Sequence, residues 1–212
     1  MRYVRRVPGL RGLRSRLRAR WDQMRPIPLP RYSEGTPEAV GTGILEPLFP
    51  PNAETLGAAA LSSEAATFVS AVLAKLTPTQ DIVRQQFFYE VGQGKFGPYW
   101  RYADILTALR AASTMIRPNS YLEIGVRRGR SAAVVAASCP QCAIYGFDLW
   151  IPGYHNEPNP GPDFVRSELR AVGHEGPVEL VAGDSRETVP AFLQQQPDLY
   201  FDVITVDGDH SV

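Results

Sequence analysis

Beyond residue 98 the chain alternates short apolar runs with longer stretches of helical spacing. Tyr121-Leu122-Glu123-Ile124 is a short strand that runs straight into Gly125 and then Gly129. Ser131 to Ser138, mostly Ala and Val, opens a buried helix. Ala143 to Phe147 is a second strand ending at Asp148, and Asp163 to Ala171 a short helix with Asp163 as its cap. Val178 to Val181 is a third strand reaching Gly183-Asp184-Ser185. Glu187 to Gln195 follows as a helix with Pro190 in its first turn. Phe201 to Val206 is the fourth strand and ends at Asp207. The alternation predicts an open α/β sheet of about four parallel strands in three αβα layers. Ligands bind such sheets outside the carboxyl ends of the strands. Leu149 to Pro162, with Trp150, Tyr154 and His155, is a long loop over those ends, where loops often carry function.

Earlier in the chain the pattern changes. Residues 1–53 form a basic, Pro- and Gly-rich arm in which the prolines at 26, 28, 30, 37, 47, 50 and 51 prevent a continuous helix. Residues 54–98 read as a helical cap. Thr55 to Leu76 has apolar residues at helical spacing, with Ser62 or Ser63 capping a helix that starts near Glu64. Thr79 to Glu90 is a second helix whose apolar face is Ile82, Val83, Phe87 and Phe88. Gly92-Gln93-Gly94-Lys95-Phe96-Gly97 is then expected to be a mobile loop. Tyr99 to Met115 is the helix leading into the first strand, with Tyr102, Ile105, Leu106 and Leu109 inward. Residues 99–212 are the sheet domain.

Composition adds limits rather than an answer. With 44% apolar and 21% charged residues, the chain suits a soluble globular protein, and no run approaches the length of a spanning helix. A cytoplasmic location is expected. The net charge of zero hides nine arginines in residues 1–25, against a remainder of about −8. That remainder has no basic stripe with interleaved aromatics, which argues against a nucleic-acid partner. Cys139 and Cys142 form a C-x-x-C without a second pair, so two reduced cysteines in an αβ turn are expected. His174, in the polar turn Gly173-His174-Glu175-Gly176, is expected at the surface.

The glycine spacing after the first strand excludes two nucleotide sites. G-x-G-x-x-G fails because Arg127 and Arg130 occupy the second and third glycine positions. G-x-x-x-x-G-K-[ST] fails because Lys75 and Lys95 are both distant. What remains is Glu123-x-Gly125-x-x-x-Gly129, an acid after the next strand, and Asp207-Gly208-Asp209-His210-Ser211 after the fourth. This order resembles the class I S-adenosylmethionine-dependent methyltransferases. It is most similar to small-molecule O-methyltransferases with DGDHS at that place. Arg127 departs from the pattern, standing where the family has a central glycine.

The resemblance implies a Rossmann-like methyltransferase fold and a set of roles. Gly125 and Gly129 would hold the amino-acid end of S-adenosylmethionine, with Glu123 toward its ammonium. Asp148 would take the ribose hydroxyls, and Gly183, Asp184 and Ser185 would lie beside the adenine. Two catalytic readings stay open. His210 could act as the base on a hydroxyl, since its ordinary pKa suits neutral pH. Alternatively Asp207 and Asp209 could hold Mg²⁺, which would acidify that hydroxyl. The expected substrate is a small hydroxylated metabolite of sugar or phenol type, with Trp150, Tyr154, Phe96, Tyr99 and Trp100 available for stacking. The resembled fold has seven strands, so the chain is expected to be a C-terminally truncated form. A catalytically silent cofactor-binding or scaffold fragment is the alternative function. The cap helices and the arm could equally be a homodimer contact.

Overall fold

A computed structural model describes residues 53–153 and 159–208. They all fall within Phe49–Val212, one of the two compact units into which the chain divides. Tyr154, His155, Asp209, His210 and the arm lie outside the described residues. The elements, in order, are α1 (Ala53–Ala60), α2 (Ser63–Leu73), α3 (Gln80–Phe96), α4 (Ile105–Ile116), β1 (Ser120–Ile124), α5 (Arg130–Ser138), β2 (Ala143–Asp148), α6 (Pro162–Ala171), β3 (Val178–Ala182), α7 (Ser185–Gln195) and β4 (Val203–Val206).

The strands form one parallel sheet in the order β3-β2-β1-β4. Tyr121 pairs with both Ile144 and Val203, so β1 is central and is paired on both edges. Residues 120–123 of β1 are all buried, as expected of a strand covered on both faces. Tyr121 and Ile144 face a core shared with α4, α5, α6 and the N-terminal helices. Leu122 and Phe147 face the opposite side, where Phe192 of α7 covers them. The chain thus winds one way through β2 and β3, then returns past β1 to β4. The reversal leaves a crevice between the ends of β1 and β4.

Local chemistry explains where the helices differ from expectation. Thr55 to Leu76 contains two helices, and Ser62 caps the second by accepting from Ala65 N at 3.1 Å. The Gly92–Phe96 segment is the last part of α3 rather than a mobile loop. Gly92 is buried there because the Trp100 ring lies where a side chain would project. Gly97, at φ +54°, ends the helix. The buried face of α3 is Ile82, Tyr89 and Gly92, while Val83, Phe87 and Phe88 point outward.

Helix α4 begins at Ile105, six residues later than expected, because Asp104 and Thr107 close a capping box around its first turn. The same Asp104 carboxylate accepts from Tyr89 at 2.7 Å and Gln85 at 3.2 Å, tying α3 to the start of α4. Leu106 and Leu109 are inward as expected, but Ile105 is exposed. The cap of α6 is Gly161 rather than Asp163. Pro190 lies inside α7, since that helix starts at Ser185, and β4 starts at Val203 rather than Phe201.

His174 is a further correction, being buried rather than at the surface. Burial holds its imidazole below the ordinary pKa. Glu168 of α6, also buried, accepts from Thr77 N at 2.8 Å and Thr77 Oγ1 at 2.6 Å, which anchors the turn before α3. Among the described residues no helix is long and apolar enough to cross a membrane.

The two mid-helix glycines of α3 should respond oppositely to alanine. Gly92→Ala should destabilise by about 1–3 kcal/mol, because the Trp100 ring must move. Gly94→Ala, with nothing near its added methyl, should stabilise by about 0.5–1 kcal/mol. Urea unfolding midpoints of the two variants check this. Equal shifts would place the Gly92 region outside the core.

Candidate functional site

The crevice is built from the four strand ends. At the end of β1, Gly125 turns the chain with φ +92°. A β-carbon there would overlap the main-chain oxygen of Asp207, so only glycine lets the ends of β1 and β4 approach. Asp207 N fixes that approach by donating to the Ile124 oxygen at 2.8 Å, while Gly125 N ties the turn to β2 by donating to the Phe147 oxygen at 2.8 Å.

Asp148, at the end of β2, braces the next turn. Its Oδ2 accepts from Arg127 N at 2.7 Å and its Oδ1 from Trp150 N at 2.6 Å. The Trp150 indole N–H then donates to the Arg127 oxygen at 3.0 Å, closing a ring of three hydrogen bonds. Arg127 and Trp150 both adopt left-handed backbone, at φ +50° and +42°. At the end of β3, Gly183 N donates to the Asp148 oxygen at 2.9 Å. Asp184 caps α7 through Arg186 N at 2.9 Å and pairs with the Arg186 guanidinium at 2.6 Å. Those hydrogen bonds from Arg186 hold the Asp184 carboxyl below the usual carboxylate range.

Six of the residues singled out from the sequence line one cleft of about 450 Å³: Gly125, Asp148, Gly183, Asp184, Ser185 and Asp207. Arg127, Leu149, Ile151, Asn159 and Arg186 complete much of its wall, and sequence reasoning assigned none of them a contact there. Arg186 was accessible in principle, since it directly follows the Gly-Asp-Ser turn. Leu149 and Ile151 carried no chemical signal.

Two predicted residues stand behind the wall. Gly129 is the N-cap of α5, at φ +76°, and a β-carbon there would sit 2.8 Å from Val165 Cγ1 of α6. Its glycine is therefore needed for helix packing. Glu123 is 1% exposed. Ser131 donates to its Oε1, and the Tyr121 hydroxyl, which donates to Thr205 at 3.0 Å, lies beside the same carboxyl. Burial, reinforced by the nearby Asp207 and Asp148 carboxylates, pushes the Glu123 pKa up to about 8. That shift favours the uncharged, protonated form of Glu123 beneath the cleft.

The aromatic residues divide in the same way. Trp150 and Trp100 are buried, the first in the hydrogen-bonded ring and the second stacked on Tyr102 at 5.4 Å, so both serve the fold. Phe96 and Tyr99 are exposed. Among the described residues no group of three metal-binding side chains occurs. Asp207 is the one member of the predicted metal pair that is described.

Comparison with known proteins gives a partial match. Residues 122–212 match a family model described as a methyltransferase domain. A solved structure similar to this chain is the SAH-bound methyltransferase PaMTH1 of Podospora anserina. It is 20% identical over 68% of this chain and 57% of that one, with a TM-score of 0.38. No curated protein matches. The strand order and the matched domain give these residues the α/β Rossmann-like fold of class I methyltransferases.

Glu123 should make stability depend on pH. Between its ordinary pKa of 4.5 and about 8 the folded state keeps a proton that the unfolded chain has lost. Stability should therefore fall as pH rises through that window, by at most about 1.4 kcal/mol per pH unit, and level off above it. Glu123→Gln should flatten the fall and overtake the parent near pH 8. Urea midpoints from pH 5 to 9 check this. Parallel curves for the two proteins would mean that Glu123 is ionised in the folded state.

Proposed function

We propose that the cleft binds S-adenosylmethionine and that the chain serves methyl transfer to a hydroxyl oxygen of a small metabolite of sugar or phenol type. One observation carries this reading: the Gly125 turn and the Asp148, Asp184 and Asp207 carboxylates meet in a single cleft at the strand ends. An acidic, glycine-lined cleft suits a ligand with an ammonium, a sulfonium and ribose hydroxyls. Each Asp148 oxygen already accepts one backbone N–H and keeps a lone pair, so the carboxylate could still accept both ribose hydrogens. Because those bonds also fix its orientation, Asp148 needs no rearrangement on binding.

The other assignments follow from their places. Gly125 lets the backbone come close to the amino-acid end, with the N-terminus of α5 at Gly129 behind it. Glu123 lies beneath that end, and Gly183, Asp184 and Ser185 form the side proposed for adenine. The cofactor would supply an electrophilic methyl group. The chain's own task is then to exclude water, align the acceptor oxygen behind that methyl and weaken the hold on its proton. His210 is proposed as the base. Asp207 with Asp209 is proposed as a Mg²⁺ site acting on the same hydroxyl, and Asp207 on the cleft wall is compatible with either arrangement. Arg127 at the position of the family's central glycine favours a second reading, a cofactor-binding scaffold without catalysis.

Calorimetric titration with S-adenosylhomocysteine, with and without Mg²⁺, tests the proposal. Micromolar binding is expected, with a loss of at least about tenfold in Asp148→Ala, which removes charge-assisted hydrogen bonds. Circular dichroism and the unfolding midpoint of the variant show whether the fold is kept. A folded parent chain that ignores the ligand would sink the cofactor assignment. Binding without turnover across hydroxylated acceptors would favour the scaffold.

A further inference from the structure

The most exposed apolar surface belongs to an element the cleft does not use. Helix α3 buries Ile82, Tyr89 and Gly92, and turns the other way Val83 (52% exposed), Phe87 (65%) and Val91 (47%). These three recur every fourth residue, so they form one stripe about 80° wide. Phe88 (46%) borders it on one side, its ring packed edge-on against Tyr102 at 4.8 Å. Val83, Phe87, Phe88 and Val91 together expose roughly 300 Å² per copy, comparable with the largest patch of an ordinary monomer, and such patches mark interaction sites. The helix is otherwise well anchored, by the Thr79 cap and by the bonds from Tyr89 and Gln85 to Asp104. The stripe is therefore a rigid surface.

We infer that this face of α3 is an interface with a second copy of the chain, the two α3 helices packing antiparallel about a two-fold axis at Phe87. The stripe is its own complement under that operation. Val83 comes to lie opposite Val91 of the second copy, Val91 opposite its Val83, and Phe87 against Phe87. Two-fold interfaces require such self-matching.

Charge placement agrees. An antiparallel pair brings each flank of a helix against the same flank of its mate. Asp81, Arg84 and Lys95 share one flank, with Asp81 and Arg84 4.0 Å apart. Asp81 precedes Phe87 by six residues and Lys95 follows it by eight. Across the axis, Asp81 and the second copy's Lys95 therefore lie within about 3 Å along the helix direction. Opposite charges meet twice, once at each end of the stripe. Arg84 on this flank and Glu90 on the other each lie about 9 Å along the axis from their own counterparts, farther than the opposite charges. The inference does not depend on what the cleft binds.

The patch is smaller than the roughly 800 Å² per partner of a standard interface, so the pairing should be weak and concentration-dependent. Sedimentation velocity of the full chain from about 2 to 200 µM should show a shift from monomer to dimer. Phe87→Glu should remain monomeric throughout while keeping the parent's circular dichroism. Lys95→Asp should weaken association about tenfold, and the exchange Asp81→Lys with Lys95→Asp should restore it. Three results would each overturn the inference: a parent that stays monomeric at the highest concentration, a dimer that survives Phe87→Glu, or an exchange variant no better than Lys95→Asp alone.

Discussion

The ends of β1 and β2 depend on one carboxylate. Arg127 and Trp150 hold left-handed backbone, which costs roughly 1–2 kcal/mol for each non-glycine residue. Asp148 offsets that strain by accepting the N–H of both, and the Trp150 indole closes the circuit onto Arg127. Because the indole is buried, the circuit has little competition from water. Two loops from different strands thereby become one rigid wall, and Gly183 N joins it by donating to the Asp148 main-chain oxygen. The Arg127 amide and carbonyl do the structural work of a turn residue, and the residue also lines the cleft.

Behind this wall the sheet stores a second electrostatic element. Tyr121 and Glu123 project from the same face of β1, and Thr205 projects beside them from the neighbouring β4. Ser131, at the start of α5, completes the cluster. A glutamate enclosed in this way loses its hydration and has two carboxylate neighbours, so its charged form is the costly one despite the nearby Ser131 and Tyr121 hydroxyls. A cation arriving in the cleft would reverse that balance by stabilising the anion. Asp148 and Asp184, by contrast, line the cleft with their hydrogen bonds already made.

Much of the sheet was legible because its signals are local. The apolar runs ending at Asp148, Asp184 and Asp207 each became a strand leading to the cleft, and Gly125 lies at the one place where a β-carbon would strike β4. The N-terminal helices were less legible, since tertiary packing overrode local punctuation. Three glycines in six residues read as a loop, but the Trp100 ring occupies the space beside Gly92 and keeps the helix going. Trp100 and Trp150 read as surfaces for a substrate, although Trp100 stacks on Tyr102 two residues on and Trp150 donates to the distant Arg127 carbonyl. His174 misled for a related reason, since its side chain is buried while Gly173 and Glu175 beside it are exposed.

The two faces of α3 show how a misread helix can point to a contact. Periodicity grouped Ile82, Val83, Phe87 and Phe88 as one bulky apolar face, but Ile82 is buried while the other three are exposed. The inward side is instead set by the small Gly92, by Ile82 and by the tyrosine that reaches Asp104. A helix can hide its polar-capable residues and expose its aromatic ones only if interior packing leaves no room for the latter. Gly92 under the Trp100 ring marks that limit, since a large side chain on this side would separate α3 from the residues before α4. The aromatic stripe therefore cannot be satisfied by rotating the helix within its own fold. What relieves its exposure must come from outside these packed elements, and the stripe's symmetry about Phe87, with Asp81 and Lys95 sharing a flank, selects another copy of itself.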